Sequence, residues 1–164
     1  AGIRDRRPSR GLGDVYKRQE LGRINVAARS VGVAQASFDA AMRYAQQRET
    51  FGRPIYEHQA IQFKLADMAT KLQAARLMTY DAARRADAGQ RVDMEAGMAK
   101  LFASEAAFEI ATEALRIHGG NGYTTEFPVE RYFRDTPLMI IGEGTSEIQK
   151  MVIARKLLER YPAE

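Results

Sequence analysis

The 164-residue chain contains no cysteine. That excludes a disulfide framework, a thiolate metal site and a cysteine nucleophile. Imidazole is scarce too: His58 and His118 are the only histidines, which argues against a histidine-based metal centre. No apolar run approaches the roughly 20 residues of a membrane span, and there is no recognisable secretory signal. Strand-like alternation and internal repeats are also missing. What remains is a chain of ordinary apolar content, 45%, long enough to bury one core. A soluble intracellular protein is the default expectation.

Charge of one sign is lacking over most of the length. The formal net charge is +4, yet Arg4, Arg6, Arg7, Arg10, Lys17 and Arg18 stand against only Asp5 and Asp14 in residues 1–18. The remainder holds 19 of the 25 Lys/Arg and 19 of the 21 Asp/Glu, a net of zero. Such a body has no excess of cations with which to neutralise many phosphates, so no nucleic-acid partner is expected. The basic segment could serve as a nucleic-acid-binding arm. Its composition, rich in Gly and Arg with no helical or strand period, fits a non-native tail better, and Ser9–Gln19 resembles translated linker sequence. The expected division is a tail over 1–19 and one domain over 20–164.

From residue 20 the pattern is helical. Ile24, Ala27, Val31, Ala34, Phe38, Ala41 and Ala45 follow the three-four spacing of one helix face. Gly52 and Pro54 end that helix. A second carries Ile61, Leu65, Met68, Leu72, Ala75, Ala82 and Ala86, close to a heptad seam. Gly89 suits its C-terminal cap and Asp93 the next N-cap. A third shows Met94, Met98, Leu101, Phe108 and Leu115, and ends at Gly119-Gly120-Asn121-Gly122. A short segment near Pro128–Phe133 precedes a last helix with Ile148, Met151, Val152 and Leu158. Four long helices with short connections predict an all-α fold, an antiparallel four-helix bundle. A bundle of this kind could simply be a structural or assembly module.

Glu143 is the residue that points to chemistry. It lies between Gly142 and Gly144 just ahead of the last helix. Flanking glycines let the backbone bend and let a ligand approach. Ser146 followed by Gln149 fits a capping box. A carboxylate there can be ordinary complementation of the helix dipole, or a general base.

Four separated strings lift this ambiguity. Arg48-Glu49-Thr50-Phe51-Gly52-Arg53-Pro54-Ile55 is followed by Glu57-His58-Gln59-Ala60-Ile61-Gln62. Leu115-Arg116-Ile117-His118-Gly119-Gly120-Asn121-Gly122-Tyr123, Pro128-Val129-Glu130-Arg131-Tyr132-Phe133-Arg134-Asp135 and the Glu143 stretch complete the series. In this order and spacing, residues 20–164 resemble the C-terminal helical domain of the acyl-CoA dehydrogenase family.

The resemblance implies a flavin enzyme using FAD. Glu143 would take the α-proton of an acyl-CoA thioester while a hydride leaves Cβ for the flavin, giving a trans-2-enoyl-CoA. Arg48, Thr50, Phe51, His58 and Gln59 would touch the flavin dinucleotide of a neighbouring subunit. Arg116, Gly119 and Gly120 would lie near its adenosine portion. Thr145 and Glu147 match positions at the adenine end, although Thr145 and Ser146 could be capping residues only. Arg23 and Gly144 would border the substrate, and Arg23 reads equally as an inter-helix ion-pair residue. Some relatives carry the base on the first helix, immediately before the arginine matching Arg23. That place is Gly22 here, so Glu143 is the one carboxylate available. Many short- and medium-chain relatives have a tyrosine where Gly142 stands, which leaves room beside the acyl chain.

The resemblance further implies a homo-oligomer, dimer or tetramer, with an electron-transferring flavoprotein as partner. The compartment would be the cytoplasm, or the mitochondrial matrix in a eukaryote. An acyl-CoA oxidase of the same fold and a non-enzymatic oligomerisation or DNA-associated module are the alternatives. Family members also have an N-terminal helical domain and a middle β-domain that are not in this sequence. The expectation is therefore a fragment of a larger enzyme, inactive by itself.

Overall fold

Ile24, Ala27, Ala34, Ala41 and Ala45, the face expected of the first helix, are all buried in the computed structural model, which describes residues 12–163. They belong to helix α1 (Leu12–Gln47), with Val31 and Phe38 half-buried against the same core. The helix begins at Leu12, inside the segment set apart as a tail, so residues 12–19 continue it. Residues 1–11 lie outside the described residues. Gly13 and dense charge mask the helical spacing over 12–19. Glu20, at the expected boundary, is buried and accepts a hydrogen bond from Arg91 Nε at 2.8 Å.

α1 stops before Gly52 and Pro54, as expected. The chain then makes a two-residue hairpin, β1 (Glu49–Thr50) against β2 (Arg53–Pro54), and a single turn over Ile55–Glu57. Helix α2 (Gln59–Asp87) buries Met68, Leu72, Ala75 and Ala82. Removing a side chain the size of Met68 or Leu72 from water contributes about 1.5–3 kcal/mol each. Gly89 ends it with φ 77° and its N–H on the Ala86 carbonyl at 2.9 Å, the left-handed stop that glycine favours.

Helix α3 (Asp93–His118) starts one residue earlier in role than expected. Val92, fully buried, is the N-cap, and Asp93 is the first helical residue. The Asp93 carboxylate instead pairs with Arg91 at 2.6 Å, at the positive end of the helix. The expected stripe on α3 also needs correction. Met94 is buried, but Met98, Leu101, Phe108 and Leu115 are only half-buried. The fully buried apolar positions are Ala96, Ala99, Ala103, Ala107, Ala111 and Ala114. α3 packs against all four other helices, and small residues are what permit close approach on several sides at once.

A single-turn segment (Gly119–Tyr123) follows α3, then helix α4 (Val129–Ile141). α4 is 13 residues long, more than the short segment expected, and it carries Pro137 without breaking. Proline has no N–H for the carbonyl four residues back, and the Thr136 hydroxyl donates to Phe133 O in its place at 2.9 Å. Helix α5 (Ser146–Arg160) completes the fold. The architecture is all-α: the four long helices expected are α1, α2, α3 and α5, with α4 as a fifth. No described helix is long and apolar enough to cross a membrane.

Candidate active site

The turn between α4 and α5 holds Glu143 in an uncommon backbone state. Gly142 caps α4, its N–H on Leu138 O at 2.8 Å. Glu143 and Gly144 then both take left-handed conformations, φ 55° and 92°. For a non-glycine residue this costs on the order of 1–3 kcal/mol and persists only where the surroundings enforce it. Two side chains enforce it here. Lys100 of α3 donates from Nζ to Ile140 O at 2.6 Å and Gly144 O at 2.8 Å. Gln149 of α5 donates from Nε2 to Glu143 O and Gly144 O, both at 3.0 Å. Both side chains are fully buried. Burial pushes the Lys100 ammonium down from its ordinary pKa, against the pull of Glu105 and Glu147.

The expected capping box is therefore not formed. Thr145 is the N-cap, and the Ser146 hydroxyl reaches across to Glu105 Oε1 at 2.6 Å. The Gln149 amide reaches two orphaned carbonyls of the turn rather than the backbone N–H of a cap. Glu147, at the start of α5, is held below the usual carboxylate range by its own backbone N–H and then by the Thr145 hydroxyl.

The Glu143 carboxylate is exposed and rests on α1 at Gly22. A Cβ at position 22 would come within 2.7 Å of Oε2 and 2.8 Å of Cδ, closer than packed atoms allow. Glycine at 22 and glutamate at 143 thus fit as a pair. Arg23, the next residue, turns into the core. It lies 3.9 Å from Asp93 through Nη1, an α1–α3 ion pair. Its Nε and Nη1 have no hydrogen-bond partner among the described residues.

A second cluster sits at the far end of α1. At the hairpin tip, Phe51 has φ 53° and Gly52 φ 77°, the pair of positive angles that a tight two-residue hairpin turn requires. Phe51 is 97% exposed. His58 links the hairpin to α2, with Thr50 Oγ1 at 3.0 Å from Nε2 and Arg53 Nη2 at 3.2 Å from Nδ1. Arginine only donates, so Nδ1 accepts and Nε2 carries the proton towards Thr50. Arg48 and Gln59 are exposed on either side. Gly119 (φ 59°) and Gly120 are exposed at the end of α3, and exposed Arg116 pairs with Glu113 at 2.5 Å. Asn121 Nδ2 donates to Tyr44 OH at 2.9 Å, and His118 stacks on Tyr44 at 4.2 Å. The glycine turn and the hairpin therefore share the C-terminal end of α1. Gly22 and Tyr44 are about 33 Å apart at 1.5 Å per residue.

The structure thus brings Glu143, Gly144, Thr145 and Glu147 together at one end. It gathers Arg48, Thr50, Phe51, His58, Gln59, Arg116, Gly119 and Gly120 at the other. Sequence reasoning missed Lys100 and gave Gln149 only a capping role. Lys100 shares a helix face with Ala96, Ala103 and Ala107, and that placement of a charge within an alanine stripe is the signal that could have found it.

Comparison with known proteins shows the family of the chain. The family pattern described as "Acyl-CoA dehydrogenase, C-terminal domain" matches residues 9–158. The chain is 52% identical over 151 residues to a 3-(aryl)acrylate reductase of Clostridium sporogenes, covering 92% of this chain and 40% of that protein. It is 47% identical over 152 residues to the CarC subunit of a caffeyl-CoA reductase-Etf complex of Acetobacterium woodii, covering 93% and 40%. The butyryl-CoA dehydrogenase structure from Megasphaera elsdenii superposes with a TM-score of 0.88 at 42% identity, over 90% of this chain and 39% of that one. A helical domain of an acyl-CoA dehydrogenase-type protein is the class these matches define. The chain belongs to the acyl-CoA dehydrogenase family and corresponds to its C-terminal domain. It spans about two fifths of the length of the relatives it matches, 40% in each of the two enzymes above.

Proposed function

We propose that this chain supplies the base and part of the dinucleotide site of an enzyme that dehydrogenates an acyl-CoA thioester at Cα–Cβ. The observation that carries this reading is the Glu143 carboxylate, solvent-facing on a turn whose backbone is fixed by buried donors and set against the bare backbone of Gly22. A base must be held within hydrogen-bond reach of the proton it takes, and a rigid turn is a means to that. Glu143 receives the α-proton of the bound thioester, and the product is the trans-2-enoyl thioester.

FAD fits the residues at the far end of α1. Arg48 offers a guanidinium fork for phosphate oxygens, and Thr50, His58 and Gln59 offer further polar groups. Phe51 offers an exposed ring. Arg116, Gly119 and Gly120 flank the adenosine portion. Thr145 and Glu147 serve a dinucleotide beside Glu143, where the charged Glu147 carboxylate can accept from hydroxyls. When bound, the flavin supplies the two-electron acceptor for the hydride lost from Cβ. Because the two clusters stand roughly 33 Å apart along α1, one dinucleotide takes its contacts from two copies of the chain, which supports a homo-oligomer. Gly144 borders the thioester. Arg23 lies one residue from the Gly22–Glu143 contact, but its guanidinium is buried and directed to Asp93, so it can act on the site only through charge. An electron-transferring flavoprotein partner is supported by the relative named as part of an Etf complex.

Two relatives are named as reductases of unsaturated substrates, which favours a second reading in which the same residues run the reverse reaction. Glu143 then delivers the proton to Cα. The test is Glu143→Gln in the full-length enzyme carrying this chain. Substrate should still bind, while stopped-flow flavin reduction slows by about 10²–10⁴-fold, the usual contribution of a positioned acid or base. Reduction at the unsubstituted rate would sink the assignment. Oxygen consumption as the dominant electron outlet would move the protein to the oxidase reading.

A further inference from the structure

We propose that Lys100 and Gln149 are positioning residues that act through Glu143, fixing its peptide so that the carboxylate stays over Gly22. This rests on the reading of Glu143 as the base. Lysine and glutamine are among the residues least often fully buried, yet neither side chain here has measurable exposure. Lys100 has no carboxylate in ion-pair contact among the described residues; its two hydrogen bonds go to the carbonyls of Ile140 and Gly144. Gln149 gives both of its bonds to consecutive carbonyls, Glu143 and Gly144. Two donor groups thus make four hydrogen bonds to three carbonyls around one left-handed glutamate.

The geometry couples that clamp to the carboxylate. If Glu143 relaxed to a right-handed φ, its peptide plane would rotate and its carbonyl would leave the Gln149 amide. The Gly144 carbonyl, shared by Lys100 and Gln149, would move with it. The side chain would leave Gly22 by the same rotation. Two details show how closely the amide is seated. A Cβ on Gly144 would lie 2.8 Å from Gln149 Nε2, so a side chain there would expel it. Gln149 Oε1 is buried without a hydrogen-bond partner, about 3.5 Å from where a Cβ on Gly97 would stand. The residue is therefore held for its donor end.

The experiment follows exchange of the Cα proton with D₂O in the full-length enzyme carrying this chain, using butyryl-CoA or, if that does not exchange, 3-phenylpropionyl-CoA. Lys100→Met and Gln149→Met are each made alone and combined with Glu143→Gln. Displacing a catalytic group by about 1 Å costs on the order of 10²-fold. The expected result is a loss of that size for each single variant, with acyl-CoA binding retained, and no further loss when either is added to Glu143→Gln. Non-additivity of this kind marks residues that act as a unit. An equal fold-loss in both backgrounds, or unchanged exchange in the single variants, would overturn the proposal while leaving Glu143 as the base. Full exchange in Glu143→Gln alone would instead remove the base assignment. If Lys100→Met does not fold, Gln149→Met decides alone. Failure of both to fold also overturns the proposal, since their role would then be stability.

Discussion

A methyl group at position 22 would stand 2.7 Å from Glu143 Oε2, and this makes Gly22→Ala a sharp probe at the residue scale. Alanine inside a helix is favoured over glycine by roughly 0.5–1 kcal/mol, so the variant should melt slightly higher. The carboxylate must move aside to admit the methyl, so turnover should fall by about 10²-fold. A thermal melt beside a kcat measurement reads both. Lower stability with unchanged kcat would mean that the glycine serves helix packing and not the base. Gly22, Glu143 and the two buried donors behave as one unit in this view: glycine clears the space, glutamate fills it, and Lys100 with Gln149 hold the peptide from beneath. Arg23 stands next to that unit but directs its charge to Asp93.

At the scale of elements, the hairpin and the end of α3 each give a test. Phe51 keeps a positive φ although it is not glycine, and asparagine tolerates that region better. Phe51→Asn should leave the melting temperature unchanged or raised, while the assembled enzyme loses flavin affinity roughly tenfold, the ~1.4 kcal/mol scale of one good contact. Equilibrium flavin titration checks it, and unaltered affinity would detach the hairpin from the dinucleotide site. At the end of α3, burial pushes His118 below its ordinary pKa, opposed by a hydrogen bond with Ala114 O. A histidine whose folded pKa is depressed contributes stability that is complete above its unfolded value, about 6.5. That stability is lost as pH falls through that value towards the folded one. The melting temperature should therefore drop on acidification below about pH 6.5, and His118→Gln should flatten that part of the profile.

The same elements explain what the sequence makes legible. α1 and α2 each bury one face, so their apolar spacing reads directly. α3 is enclosed by four helices, so its large residues mark the gaps between neighbours and its alanines mark the contacts. The caps expected at Asp93 and Ser146 lie one residue inside their helices, because Arg91 two residues away and Glu105 across the fold compete for those side chains. Glu143 is visible between its glycines. Lys100 and Gln149 are not, because residues of those types usually face water and only long-range packing reveals that these two do not.

For the molecule as a whole, the proposed function divides the flavin site between copies, because its two clusters stand far apart along α1. Phe63, Leu77 and Tyr80 on α2, and Leu138, Ile141, Ile148, Met151 and Leu158 on α4 and α5, are exposed apolar surface. The 164-residue chain alone should retain little FAD through purification and show negligible dehydrogenation. The absorbance spectrum of the purified chain settles this, and stoichiometric flavin would contradict the division of the site between copies. The most direct measurement of the central claim is a structure of the full-length enzyme with flavin and a non-reacting acyl-CoA analogue bound. A Glu143 carboxylate oxygen should stand within about 3–3.5 Å of Cα, still resting on Gly22. A different group at Cα, with Glu143 turned away, would contradict it.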